Sequence, residues 1–159
     1  MKESLFNIIN NRIEDSVVLD LFSGSGAIGI EFLSRGCKSA YLCDKSKDAI
    51  RFIKDNLKRT RLQENAVVIN QDYTTTLKNF HDSSIKFDII FLDPPYNSNF
   101  SKIAVDLIIK YKLLKDDGII IIETEDKDRD IENLKDIDVD IYDTRKYGRA
   151  NLVFINERG

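Results

Sequence analysis

The sequence predicts an α/β fold, a seven-stranded doubly wound sheet that ends in an antiparallel hairpin. Three observations lead there. Short apolar runs recur at spacings that leave room for a crossover helix, and the segments between them carry helical periodicity. Near the C-terminus this rhythm breaks, where two extended segments stand only a few residues apart.

Residues 17–22 form an apolar run that closes on glycine-rich sequence, the pattern of a buried parallel strand. Similar runs at 40–43, 66–70, 87–92 and 118–123 predict four more strands. Ala49, Ile50, Phe52, Ile53 and Leu57 mark one intervening helix, and Ile103, Leu107, Ile108 and Tyr111 another. Residues 78–86, with His81-Asp82-Ser83-Ser84, read as a surface loop, which argues against catalysis by the sole histidine. Segments 139–143 and 151–155 are joined through Arg145-Lys146-Tyr147-Gly148, too short for a helix, so they should pair as a hairpin. Crossovers in such a sheet are right-handed, and ligands bind at the carboxyl ends of its strands.

At 159 residues, 42% hydrophobic and 32% charged, the chain has the length and balance of one globular domain spanning 1–159. No apolar run approaches the roughly 18 to 20 residues of a membrane span, and Met1-Lys2-Glu3-Ser4 has no signal-peptide pattern, so a cytoplasmic protein is expected. Cys37 and Cys43 lack metal-ligand spacing, and no metal is expected. A net charge of −3 does not advertise a nucleic-acid binder. Basic clusters nevertheless occur at Lys54, Lys58, Arg59 and Arg61, and at Arg145, Lys146 and Arg149.

The stretch Asp20-Leu21-Phe22-Ser23-Gly24-Ser25-Gly26-Ala27-Ile28-Gly29 follows the first strand and opens a helix, the context in which G-x-G-x-x-G has meaning. Alone it would suit a dinucleotide oxidoreductase. The acid just before the loop changes the preference, because Asp20 attracts a ligand's ammonium group, directly or through water, where it would repel a pyrophosphate. S-adenosylmethionine carries such an ammonium and becomes the expected cofactor, ahead of NAD. Asp44, after the second strand, stands where an acid accepts hydrogen bonds from ribose hydroxyls. Asp72, after the third, is placed for an adenine amino group, although each of these two acids also suits an ordinary helix N-cap.

The fourth strand runs directly into Asp93-Pro94-Pro95-Tyr96. Two prolines stiffen the turn and leave carbonyls without competing local amides. A base amino group is a poor nucleophile because its lone pair is delocalised. Hydrogen bonds from its protons to Asp93 and to the Pro94 carbonyl favour attack, and Tyr96 can stack on the base. The reaction expected is in-line methyl transfer to a base that is single-stranded, looped or flipped out.

With these motifs placed, nearly the whole chain resembles the RsmD-type family of bacterial methyltransferases. The resemblance rests on Lys2-Glu3-Ser4-Leu5-Phe6-Asn7-Ile8-Ile9, on the glycine motif with Leu33-Ser34-Arg35-Gly36, on residues 87–96 and on Lys146-Tyr147-Gly148. It implies a Rossmann-like class I methyltransferase fold, S-adenosyl-L-methionine as cofactor, and methylation of a guanine exocyclic amino group in small-subunit ribosomal RNA. It further implies that Asp93, Pro94, Pro95 and Tyr96 hold the base. Asp20, Gly24, Gly26, Asp44 and Asp72 would bind cofactor, along with their neighbours Phe22, Ser23, Lys45 and Tyr73. Partners would be ribosomal RNA, free or in an assembling small-subunit particle, with the protein a monomer.

The family's usual N-terminal arm, with its Gly-Arg and Arg-Pro-Thr segments, is expected to be missing, because Met1 stands directly before Lys2. Its loss should weaken RNA binding. The alternatives are an amino methyltransferase acting on DNA adenine or another substrate, and a cofactor-binding domain inactive without its arm. Short loops leave no room for the separate reading domain a DNA enzyme would need.

Overall fold

The structure, a computed structural model, describes residues 2–159; Met1, which opens the chain, lies outside the described residues. The chain divides into two compact units, the first ending at Thr76 and the second beginning at Leu77.

The first unit alternates helix and strand. It runs α1 (Lys2–Ile8), β1 (Val17–Asp20), α2 (Ala27–Ser34), β2 (Ser39–Asp44), α3 (Lys47–Thr60) and β3 (Ala66–Asn70). Its strands are parallel in the order β3-β2-β1, with Asp20 level with Leu42 and Asp44 level with Asn70. Leu5, Phe6, Val18, Leu19, Phe32 and Leu42 are fully buried, and Phe6 meets Phe32 edge to face at 4.7 Å. The chain leaves β1 at Asp20, earlier than the apolar run suggests, because the Ser23 amide turns back to the Cys43 carbonyl at 2.9 Å. In α3, Ile50, Ile53 and Leu57 face inward as expected, but Phe52 is exposed.

α4 (Tyr73–Asp82) occupies most of the segment expected to be a loop, and His81 lies within it. Tyr73, Thr76, Leu77 and Phe80 are its buried residues, an i, i+3, i+4, i+7 stripe. His81 stacks on Tyr111, and its Nδ1 lies 3.3 Å from the Tyr111 carbonyl.

The second unit holds β4 (Phe87–Leu92), α5 (Phe100–Lys110), β5 (Leu114–Thr124), α6 (Lys127–Asn133), β6 (Val139–Tyr147) and β7 (Ala150–Glu157), with strand order β4-β5-β7-β6. β4 and β5 are parallel, whereas β7 is antiparallel to both of its neighbours. Ile119, Ile120, Ile121 and Ile122 are all buried, as a strand covered on both faces requires, and each contributes about 2 kcal/mol of apolar burial. In α5 the buried face is Ser101, Ala104, Val105 and Ile108, shifted from the stripe expected through Ile103 and Leu107. Tyr111 lies just past the helix end.

The C-terminal hairpin is present but tighter than expected. Arg145, Lys146 and Tyr147 belong to β6, and Tyr147 pairs with Ala150, so only Gly148 and Arg149 form the turn. Gly148 has φ +61°, the left-handed geometry that matches a two-residue turn to strand twist. Among the described residues, no helix is long and apolar enough to cross a membrane.

Candidate functional site

Strand carboxyl ends carry both groups of candidate residues, one group in each unit. In the first unit, β1 delivers Asp20 into the core at 2% exposure. Its Oδ2 accepts from the Ser23 hydroxyl at 2.8 Å and from the Gly29 amide at 3.1 Å. The Gly29 amide belongs to the first turn of α2, where backbone N–H groups lack helical partners and the dipole favours an anion. Asp20 therefore builds the glycine loop, a role nearer the backbone than the ammonium contact suggested by the sequence alone.

The three glycines do different work. Gly24 and Gly26 take φ of +58° and +84°, which other residues rarely adopt. A Cβ on Gly29 would stand 2.6 Å from Leu42 Cδ2, so this glycine lets α2 lie close on β2. Asp44, at the end of β2, uses Oδ2 to accept from the Gly24 amide at 3.0 Å and Oδ1 to accept from the Ser46 amide at 2.9 Å. Each oxygen retains a lone pair for a hydroxyl donor. The N-cap of α3 is Ser46, so Asp44 is not the cap.

Asp72 does act at a helix start. It accepts from the amide and the hydroxyl of Thr74, and that hydroxyl bond is what chiefly holds its carboxyl below the usual range. Lys45, exposed nearby, adds to the lowering. Phe22 and Tyr73 face each other with ring centres 5.1 Å apart. Under the loop, Cys43 is fully buried and burial raises its thiol well above the ordinary value.

This end of the unit fits S-adenosylmethionine: a glycine loop open to close backbone approach, a carboxylate with free lone pairs two residues along from Leu42, and an aromatic pair beside an acid. Phe22, Ser23, Gly24, Gly26, Asp44, Lys45, Asp72 and Tyr73 are all gathered at the carboxyl ends of β1, β2 and β3.

In the second unit, a cleft of about 230 Å³ opens beyond the ends of β4 and β5. Asp93, Pro94, Pro95 and Tyr96 form one wall. Tyr96 is 80% exposed, an unusual position for a large ring on a stiff turn. The Pro95 carbonyl accepts from the Ser98 hydroxyl at 2.8 Å, whereas the Pro94 carbonyl has no hydrogen bond among the described residues. The Asp93 carboxylate likewise receives none. Desolvation by the surrounding protein, with Glu125 adding to it, raises the Asp93 carboxyl above its ordinary value even though one side of the residue is open to solvent.

The opposite wall holds groups that motif reading did not single out. Glu123 is the next-to-last residue of β5, and burial followed by Asp93 and Glu125 pushes its carboxyl up to about 7. Arg129, on α6, donates through Nη1 to Asn97 Oδ1 at 3.3 Å, tying that helix to the turn after Tyr96. A buried bond from Ser101 to Asp130, 2.8 Å, joins α5 to α6 behind it. The rule that picked out Asp20, Asp44 and Asp72, an acid at a strand's carboxyl end, would also have found Glu123.

Solved structures set the class of this chain. It aligns with a candidate methyltransferase from Escherichia coli, yhhF, with a TM-score of 0.82 and 25% identity over 99% of this chain and 86% of that one. It aligns with SMU.776, a candidate methyltransferase complexed with SAH, with a TM-score of 0.75 at 18% identity over 96% of this chain and 48% of that one. The fold is the Rossmann-like class I methyltransferase fold, with seven strands and a C-terminal antiparallel hairpin.

Within that class, the family described as "Conserved hypothetical protein 95" matches residues 1–156, and the chain belongs to it, the RsmD-type family. The Bacillus subtilis protein YlbH, a candidate rRNA methyltransferase, is 38% identical over 100% of this chain and 85% of its own length. The ribosomal RNA small subunit methyltransferase D of Haemophilus influenzae is 37% identical over 79% of this chain, an alignment that spans 65% of that enzyme. Homology of this extent makes the chain a methyltransferase.

Proposed function

We propose that this chain, acting as one methyltransferase domain, transfers a methyl group from S-adenosyl-L-methionine to the exocyclic amino group of a guanine in small-subunit ribosomal RNA. The observation that carries the reading is the pair of acceptors on the Asp-Pro-Pro-Tyr turn that receive no hydrogen bond among the described residues, the Asp93 carboxylate and the Pro94 carbonyl. An amino group offers two N–H donors, and this turn offers two acceptors on a backbone too stiff to fold back on itself.

When bound, the cofactor supplies an electrophilic methyl on a sulfonium. The protein's own groups do the rest. Gly24 and Gly26 permit close backbone approach, Asp44 accepts from ribose hydroxyls, and Asp72 with Phe22 and Tyr73 receives the adenine. Tyr96 stacks on the base and holds it in place. Asp93 and the Pro94 carbonyl draw the amino protons and so concentrate the lone pair on nitrogen. Asp93, whose raised pKa makes it a better acceptor than an ordinary aspartate, would take the amino proton that the nitrogen must lose when it accepts the methyl group. Most of the acceleration comes from holding nitrogen and methyl carbon in line at near-attack distance. The substrate is ribosomal RNA, free or in an assembling particle, and the protein works in the cytoplasm as a monomer.

The test pairs binding with turnover. Calorimetry should show S-adenosylhomocysteine bound and NAD not bound. Asp93→Ala should lower methyl transfer to small-subunit ribosomal RNA about a hundredfold or more and leave S-adenosylhomocysteine affinity unchanged. Binding of NAD alone, or an Asp93→Ala variant as active as the parent, overturns the reading.

A further inference from the structure

The cleft beyond β4 and β5 contains three groups that have no hydrogen-bond partner among the described residues. Two are carboxylates. Leu92 and Ile122 are register partners on adjacent parallel strands, so Asp93 and Glu123, one residue further along each, stand side by side. Equivalent positions on neighbouring strands project to the same face, about 4.8 Å apart. No hydrogen bond or ion pair reaches Glu123 among the described residues, although it is half-buried. The third group is a donor. Arg129 Nε is buried and has no partner among the described residues, and Arg129 is one of the residues that line the same cleft.

Two adjacent carboxylates repel, and a buried donor left without an acceptor is destabilising. A protein keeps such an arrangement where a ligand completes it. The ligand must present donors to Glu123 and Asp93 and an acceptor to Arg129. Guanine's Watson–Crick edge has this order, with the N2 amino group, N1–H and the O6 acceptor in a row, and N7 beyond O6 as a second acceptor. Adenine presents the reverse at two places, an N1 acceptor that would face a carboxylate and an N6 amino group that would face the guanidinium. Arg129 already holds Asn97, next to Tyr96, so the donor is fixed to the turn on which the base would stack.

The geometry points to Glu123 and Arg129 as the residues that select the base, Glu123 accepting from guanine N1–H and Arg129 donating to O6 or N7. This rests on the reading of the cleft as the base-holding site, and it assigns the discrimination between purines to two side chains outside the Asp-Pro-Pro-Tyr motif. Asp93 handles the amino group that is methylated, whereas Glu123 and Arg129 touch no atom of the reacting bond and act on specificity.

The probes are single-stranded RNA oligonucleotides of uridine with one central guanosine, inosine or adenosine, tested in the presence of S-adenosylhomocysteine for binding and with labelled S-adenosylmethionine for transfer. Inosine keeps N1–H, O6 and N7 but lacks the amino group, so it reports base selection without chemistry. Guanosine and inosine oligonucleotides should bind about tenfold or more tightly than the adenosine one. Glu123→Gln should abolish that preference, because an amide can donate to adenine N1. Arg129→Lys, which retains the charge but loses the planar fork, should weaken it severalfold. A loss of fold would lower binding of all three oligonucleotides equally, whereas loss of selection changes their ratio. Equal binding of all three by the parent protein, absence of binding by any, or an unchanged ratio in Glu123→Gln overturns the inference. Selective binding without transfer to any oligonucleotide leaves the inference standing and counts against the methylation reading instead.

Discussion

The two units treat their strand-end carboxylates in opposite ways. In the first, Asp20 and Asp44 are occupied by the protein's own donors: the Gly29 amide and the Ser23 hydroxyl hold one, the Gly24 and Ser46 amides the other. In the second, Asp93 and Glu123 stand beside each other with no donor among the described residues, and surrounding protein raises both above their ordinary values. The first arrangement spends charge on shape, so the glycine loop is formed before any ligand arrives. The second leaves charge unspent, and its polar groups are satisfied only when something enters. A preformed pocket suits a cofactor that every turnover shares. An unsatisfied cleft suits a site that must reject near-identical bases, because buried polar groups penalise the wrong partner more than they reward the right one.

Breaking the first half of this contrast should have the larger effect. Asp20→Ala strands the Ser23 hydroxyl and the Gly29 amide in the core and is expected to cost about 3 kcal/mol of stability. Urea unfolding measures it, and a loss below about 1 kcal/mol would mean the loop does not depend on this carboxylate. Next in size is Gly29→Ala, whose methyl meets Leu42 at 2.6 Å and should cost about 2 kcal/mol. Leu42→Val in the same chain should recover part of that loss, and a double variant no better than the single one would place the strain elsewhere.

The smallest effect should come from the second unit, and its sign is reversed. Glu123 has a folded-state pKa of about 7 against an ordinary 4.5, so the folded protein favours the protonated form. Stability that is present below pH 4.5 is then lost as the pH rises through about 7. Glu123→Gln removes the titration. After allowance for solvent screening of a half-buried group, the variant should be about 1 kcal/mol more stable than the parent at pH 8 and equal to it at pH 4. Thermal unfolding at the two values tests this, and a variant less stable at pH 8 would show that Glu123 has a structural partner.

Much of this was legible in the sequence. Buried parallel strands advertise themselves as apolar runs, and the acids and glycines at their ends follow from where such sheets bind ligands. The Asp-Pro-Pro-Tyr turn is readable because two prolines leave few conformations. α4 was hidden because Thr74, Thr75 and Thr76 are poor helix formers and His81 to Ser84 look like a loop, yet burial of Tyr73, Leu77 and Phe80 overrides propensity. α5 is apolar on so much of its surface that Ile103 and Leu107 masked the buried face through Ala104, Val105 and Ile108. Arg129 was out of reach, since its place opposite Asp93 depends on the packing of α5 and α6 through Ser101 and Asp130.

The burial of Cys43 supplies a clock for the glycine loop. Its carbonyl receives the Ser23 amide, and its thiol, fully enclosed and poorly ionised, cannot react while that loop is seated. Reaction with a thiol reagent therefore proceeds only at the frequency with which this corner of the molecule opens. Cys37, less strongly enclosed and with a pKa of about 11, serves as the reference in the same chain. The ratio of the two labelling rates turns an inert cysteine into a stopwatch for local breathing at β1 and β2, readable by mass spectrometry without introducing any label into the protein.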